Sequence, residues 1–348
     1  MRILYIGPLD SWGTCLARML ALIEYGIHVI PVDTQSYILN RKKSLRNKVL
    51  RQRQDPLNHP GITILNKIVL AKAIEVEPDI VWVDKGVYVS PKTLIAIKEK
   101  TRSFMLHHCT DDVLNPIHPM KFYLESLDIY DAHYTSNIDN IEELALMTHS
   151  YVGYNELGFD HRFFKKIILD ENVNKWKSDL FFIGHWEANT EKYIKALVDA
   201  DLPVTVRGPG WSNSSLPPGI VKSGSFYGLQ YLEAINVGKI GLGIVSKWNR
   251  NQTAARCFEI PACGTMLLAF RTNVLEELYK EGKEAEFFGD TKELVEKARL
   301  YLDNAEDRER IAKAGMERCI TNKCSWKDRV GEILSDLSSK GMIKEVTT

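Results

Sequence analysis

Asn249-Arg-Asn-Gln-Thr-Ala-Ala-Arg-Cys-Phe-Glu-Ile-Pro-Ala-Cys-Gly-Thr-Met-Leu-Leu-Ala-Phe270 decides the fold class. A polar loop leads into a short helix from about Arg256, Gly264 stops that helix, and the apolar run that follows has the makings of a buried strand. A helix that passes straight into a buried strand is half of a βαβ unit, the building block of a parallel sheet covered by helices on both faces.

The same alternation extends on both sides. Upstream, Asp179 to Ile183 is strand-like, Thr190 to Ala200 helical, Val204 to Val206 strand-like, Leu229 to Asn236 helical and Ile240 to Val245 strand-like. Downstream, Val274 to Tyr279 and Glu293 to Leu302 continue it. The first half has its own series. It comprises strands at Ile3 to Ile6, His28 to Val32, Ile80 to Val83 and Ser103 to Leu106, with helices at Cys15 to Tyr25, Leu70 to Val76 and Pro91 to Lys100, the last capped by Ser90. The expected architecture is α/β, with two Rossmann-like doubly wound domains at residues 1–165 and 175–322. A last helix near 325–340 is expected to cross back onto the first domain.

The bulk composition narrows the function classes. A chain of 348 residues suits two domains of ordinary size. Lysine plus arginine and aspartate plus glutamate both number 45, so no global field draws the chain to nucleic acid or an acidic membrane. Six cysteines without a CxxC pair read as reduced and structural. No secretory leader is evident, and no window approaches the roughly 20 apolar residues of a membrane span. The expected location is the cytoplasm, with any membrane contact peripheral. The one basic run, Arg41 to Arg53, holds seven cations and no acid, and could meet an anionic surface.

Glycines mark the carboxyl ends of several strands, where ligands of such sheets bind. In the loop Gly7-Pro-Leu-Asp-Ser-Trp-Gly-Thr14, Trp12, Gly13 and Thr14 stand at a helix start that suits an anion or an acceptor hydroxyl, although neither GxGxxG nor a P-loop is present. Gly184 and His185 follow one strand of the second half. Arg207-Gly208-Pro-Gly210-Trp211 follows the next, so the two loops would line one crevice. Arg207 offers a forked donor to phosphate and Trp211 a ring for stacking. Glu259 could accept from a vicinal diol such as a ribose, while Thr253 and Arg256, one helical turn apart, could reach a diphosphate. In the first half, His107-His-Cys-Thr-Asp-Asp112 follows a strand, which makes Asp112, Asp111 and His108 candidates for a general base. No metal-ligand spacing occurs.

Several of these segments resemble one family in order and spacing. They are Arg256-x-Phe-Glu-Ile-Pro-Ala-Cys-Gly264, Glu281-Gly-Lys-Glu-Ala285, Phe287-Phe288, Glu293-Leu294, Gly315 and Trp326-x-x-Arg329, and together they look like the CgeB-like (spore-maturation protein B) glycosyltransferases. Leu157-Gly-Phe-Asp-His-Arg-Phe-Phe164 resembles the segment that precedes the second domain in many two-Rossmann enzymes of the GT-B type. The resemblance implies two domains facing a central cleft and transfer of a sugar from a nucleoside diphosphate, UDP favoured, without cofactor or metal. It implies an acceptor (glycan, lipid-linked, protein or nucleic acid) held by the first domain. The donor site would comprise Glu259, Arg256, Thr253, Asn251, Arg207, Gly208, Gly210, Trp211, Gly184, His185 and Gly264. Retaining enzymes of this type carry two glutamates with seven residues between them; Glu259 matches the second, and Asn251 stands in place of the first. That departure leaves stereochemistry open. It also keeps two alternatives in view: a non-catalytic nucleotide-sugar-binding protein and a two-domain nucleotide-sugar epimerase.

Overall fold

The computed structural model describes residues 1–38, 59–118, 120–168, 171–222 and 226–345, so the basic run Arg41 to Arg53 lies outside the described residues. The chain divides into two compact units, Met1–Glu156 with Arg329–Thr348, and Leu157–Asp328.

The first unit runs β1 (Arg2–Gly7), α1 (Thr14–Glu24), β2 (His28–Asp33), α2 (Gln35–Ile38), α3 (Pro60–Val76), β3 (Ile80–Asp84), α4 (Pro91–Thr101), β4 (Phe104–Cys109), α5 (Lys121–Leu124), β5 (Ala132–Thr135), α6 (Asp139–Ala145) and β6 (Tyr151–Tyr154). Its strands lie in the order β2-β1-β3-β4-β5-β6, and each neighbouring pair is parallel. Strands β1 and β3 are buried on both faces, which is why they read as unbroken apolar runs rather than as alternation. Ser90 caps α4 through the Thr93 amide, with Pro91 at the first helical position. Helix α3 starts well before the expected Leu70, because Pro60 opens it and the His59 ring accepts from the Gly61 amide. The C-terminal helix, Trp326–Ser339, ends within this unit. Val330, Ile333, Leu334 and Leu337 pack with Ile3, Tyr5 and Trp82, and Asp336 accepts hydrogen bonds from Tyr134 and Tyr151 at 2.5 and 2.7 Å.

Two polar features sit inside this core. The Arg18 guanidinium meets Asp84 through Nε and Nη2, both at 2.8 Å, with both side chains wholly buried. Tyr5 donates to the same carboxylate, and His108 Nδ1 lies 3.7 Å away. Despite its burial, Asp84 is held well below the usual carboxylate range by Arg18 and by His108. The second feature is a ring cluster in which His107 stacks on Tyr123 at 3.8 Å and His133 shares a 3.1 Å hydrogen bond with the Tyr123 hydroxyl. Burial lowers His133 from 6.5 to about 4 and depresses His107 strongly, so both imidazoles are neutral in the folded chain.

The second unit runs β7 (Leu180–Ile183), α7 (Ala188–Asp199), β8 (Val204–Arg207), β9 (Val221–Lys222), α8 (Leu229–Val237), β10 (Ile240–Gly243), α9 (Arg256–Ala262), β11 (Met266–Phe270), α10 (Asn273–Leu278), β12 (Glu286–Phe288), α11 (Thr291–Asp303) and α12 (Ala305–Thr321). The sheet order is β12-β11-β10-β7-β8-β9, again parallel at each pairing. The segment Glu281 to Ala285 is architectural here. Arg271 bridges Glu276, Glu281 and Glu293, Lys297 bridges Glu281, Glu286 and Glu293, and a Cβ on Gly315 would stand 2.4 Å from the Glu284 carbonyl oxygen.

The neutral imidazoles make the first unit acid-sensitive. In the unfolded chain His133 binds its proton near pH 6.5, and in the folded chain only near 4, so its contribution is complete above pH 6.5 and declines as pH falls through that window. In chemical denaturation His133→Asn should reduce the stability lost between pH 7 and 4 by an amount on the order of 3 kcal/mol, leaving the share that His107 adds. An unchanged slope in the variant would assign the loss to other groups.

Candidate functional site

The carboxyl ends of β7 and β8 are joined more tightly than two neighbouring loops need be. The Gly184 amide donates to the Arg207 carbonyl at 2.9 Å, and the Trp186 amide to the Pro209 carbonyl at 3.0 Å. Gly208 has φ of +126°, and a Cβ there would lie 2.3 Å from the Gly184 carbonyl oxygen. Gly210 has φ of +86° and sits against the Trp186 Cβ. These glycines therefore serve backbone approach, as their place in the sequence suggests. His185, exposed, is the side chain this junction presents outward.

Helix α9 aims its first turn at the same junction. The Arg256 guanidinium lies 4.7 Å above the Phe182 ring, and its Nη2 donates to the Ile244 carbonyl at 3.2 Å. A Cβ on Gly184 would come within 2.7 Å of Arg256 Nη1, so glycine at 184 is what admits the cation. Arg256 Nε is buried without a hydrogen-bond partner. Asn251 and Thr253 precede the helix and are buried in the loop after β10. Arg207 is also nearly buried, stacked between the Trp176 and Phe226 rings at 5.1 and 4.8 Å. Among the described residues, neither Arg207 nor Arg256 forms a salt bridge with a carboxylate.

Glu259 lies one turn into α9, and the Tyr231 hydroxyl donates to its Oε2 at 2.5 Å. Burial raises the Glu259 carboxyl above its usual range, opposed by the Tyr231 hydrogen bond and the Arg256 charge. Tyr231, on α8, was not among the expected site residues. Its helix shows only apolar spacing in the sequence, which gives no hint that a hydroxyl 28 positions upstream meets Glu259. Phe164 meets the Tyr231 ring edge-on at 5.6 Å, so the segment Leu157 to Phe164 supports the glutamate through a second ring.

Four expectations are corrected by burial or by position in the fold. Trp211 cannot stack on a ligand: its indole donates to the Gly184 carbonyl at 2.9 Å, packs edge-on against Phe182 and is 3% exposed. Gly264 ends α9 with φ of +67° beside Met316 and Lys166, at the entrance to β11 rather than at a carboxyl strand end. Asp112 is 1% exposed and accepts from the Leu114 amide and the Asn140 side chain, which makes it a turn cap. His108 is fully buried beside Asp84 and Asn155, with its basicity lowered by burial. Neither Asp112 nor His108 is placed to take a proton from an acceptor. Asp111 is half-buried and pairs with Lys85 at 3.0 Å. In the β1–α1 loop Trp12 is exposed, Gly13 is the helix cap without a side-chain bond, and Thr14 begins the helix. Among the described residues, no cluster of three or more histidine, cysteine or acidic groups could hold a metal ion, and no helix is long and apolar enough to cross a membrane.

Residues 189–335 match a family model described as glycosyl transferase-like. No curated protein matches the chain by sequence. Solved structures resemble it over nearly its whole length. HepE from Anabaena, in complex with UDP-glucose, is 15% identical, covers 97% of this chain and 100% of its own, and has a TM-score of 0.66. Sucrose-phosphate synthase from Thermosynechococcus elongatus is 12% identical, with coverage of 98% and 100% and a TM-score of 0.66. A Listeria monocytogenes chain assigned as a UDP-N-acetylglucosamine 2-epimerase is 14% identical, with coverage of 100% and 99% and a TM-score of 0.55. The fold is GT-B, two parallel six-stranded sheets each flanked by helices.

The Gly184–Gly208 contact is testable directly. Gly208→Ala adds both the 2.3 Å clash and a strained φ, whereas Gly219→Ala, at φ of +92° with nothing within 4 Å, adds only the strain. Urea denaturation should show the first variant losing about 1–3 kcal/mol more than the second. Equal losses would mean that the two loops are not held at this point.

Proposed function

We propose that the protein transfers a sugar from a nucleoside-diphosphate sugar, with UDP as the favoured nucleotide, to a hydroxyl-bearing acceptor held by the first unit. It is a glycosyltransferase of GT-B fold, and the motifs shared with the CgeB-like enzymes support a place in that branch. The observation that carries this reading is the cluster at the carboxyl edge of the second sheet. There two glycine turns bring backbone close, Arg256 reaches across Gly184, and Glu259 is steadied by Tyr231. Glu259 holds the ribose, with Oε2 occupied by Tyr231 and Oε1 open to a hydroxyl. Arg256, Thr253 and Arg207 meet the diphosphate, Asn251 meets the sugar, and the Gly184, His185, Gly208 and Gly210 loops shape the floor. Transition-state charge on the departing diphosphate falls to the guanidinium groups. HepE and sucrose-phosphate synthase, similar in fold, support the class of reaction. The cytoplasm suits six buried cysteines that form no disulfide.

Glu259→Ala should weaken UDP binding by roughly 10–100-fold in calorimetry, the loss of a hydrogen bond to a charged group. The pH dependence separates a binding role from a structural one. An ionised Glu259 is the form that accepts, so affinity is complete above its raised pKa and falls as pH drops through it. Tyr231→Phe removes a bond that favours ionisation, which raises the pKa further. The loss of UDP affinity should then begin at higher pH than in the wild type. Superimposable pH profiles would sink the assignment. Proton NMR of the donor-derived products, with and without acceptor, distinguishes transfer from epimerisation, which needs none and changes configuration without changing mass.

A further inference from the structure

The first unit has a cavity of about 340 Å³ at the carboxyl ends of β1, β2 and β3, between α2 and the turn after β3. Its size is at the lower end of small-molecule pockets. Six aliphatic side chains form its walls: Ile6, Pro8, Ile38, Val83, Val87 and Val89. The charges in its lining are already neutralised in place. Asp84 is taken by Arg18 and Tyr5, and Lys85 by Asp111 at 3.0 Å. Gln35 donates to Asp10 at 2.9 Å. Of the remaining polar residues in the lining, Thr34 and Tyr88 are the ones that carry hydroxyls, and burial pushes the Tyr88 phenol up, so it stays protonated. The turn itself is held open by Lys85 and Gly86, both with positive φ at +67° and +68°. The Lys85 amide is tied to the His108 carbonyl at 2.8 Å.

From this lining we infer that the pocket takes the apolar body of the acceptor, a compact alcohol or phenol of one or two rings with a single hydroxyl; the word acceptor rests on the function proposed above. A monosaccharide brings a hydroxyl on nearly every carbon, and each one buried here without a partner loses its bond to water. A lining with two hydroxyl-bearing residues has too few polar groups to replace those bonds, whereas a ring with a single hydroxyl needs only one partner. The aliphatic walls then contribute by removing apolar surface from water, at about 25 cal/mol per Å².

The test uses full-length protein with 2-naphthol as probe, followed by its intrinsic fluorescence, and methyl glucoside as the polar counterpart. UDP-induced thermal shift is measured on every sample. Wild type should bind 2-naphthol saturably at one site, methyl glucoside should not displace it, and Val87→Trp, which fills the cavity, should weaken binding more than tenfold with the UDP shift retained. Ile38→Trp, from the opposite wall, provides a second variant should the first fail to fold. Absence of saturable binding, equal binding in every folded variant, or displacement by methyl glucoside at matched concentration would each overturn the inference. A wild type that binds 2-naphthol but shows no UDP shift would overturn the donor reading instead, leaving the pocket's preference intact.

Discussion

Parallel pairing is the constraint on which both units depend. A strand that runs parallel to its neighbours must be re-entered from the same end, so the loop after each strand emerges at one edge of the sheet and the returning helix covers a face. In the second sheet that places the loops after β7, β8 and β10 side by side, although they are separated by tens of residues in sequence. Gly184, Gly208 and Arg256 meet for that reason. In the first sheet the same rule brings Gly7, Asp33 and Asp84 to one edge and creates the pocket between their loops.

Much of this was legible in the sequence. The turn from α9 into β11 at Gly264 carried the βαβ character, and the glycines after β7 and β8 marked where two loops come close. Backbone requirements are local, and a glycine at a strand end announces them. What a side chain faces is settled by residues far away, and here the sequence was mute. Trp211 looked like a stacking ring until the Gly184 carbonyl was seen to hold its indole. Asp112 and His108 carried the chemistry of a general base, but Asn140 and Asp84 hold them in the interior. Tyr231 shows the opposite failure, because an apolar helical pattern concealed the hydroxyl that orients Glu259.

The family-like motifs also sort differently once the packing is known. Glu281 to Ala285 belongs to an ion-pair network with Arg271 and Lys297, and Gly315 permits a helix to approach the Glu284 carbonyl. These residues keep β12 and α11 in place. They say nothing about a donor sugar. A resemblance built from several motifs can thus reflect common architecture, with only one of its motifs, Arg256 to Glu259, lying at the junction of the loops after β7 and β8.

The two units treat their partly or wholly buried cations in opposite ways. In the first, Arg18 and Lys85 are each matched to an aspartate, so the floor of that edge carries no net charge. In the second, Arg207 and Arg256 are shielded by aromatic rings instead. A ring face lowers the cost of removing a guanidinium from water without cancelling its charge. A carboxylate in the same place would have to be displaced before a diphosphate could bind, at the expense of an uncompensated buried ion. Stacking is therefore the arrangement that keeps a cation both sheltered and available, as a site for an anionic leaving group requires. Asn251, where the resemblance to retaining enzymes leads one to expect a glutamate, adds hydrogen-bonding groups to this loop without a second negative charge.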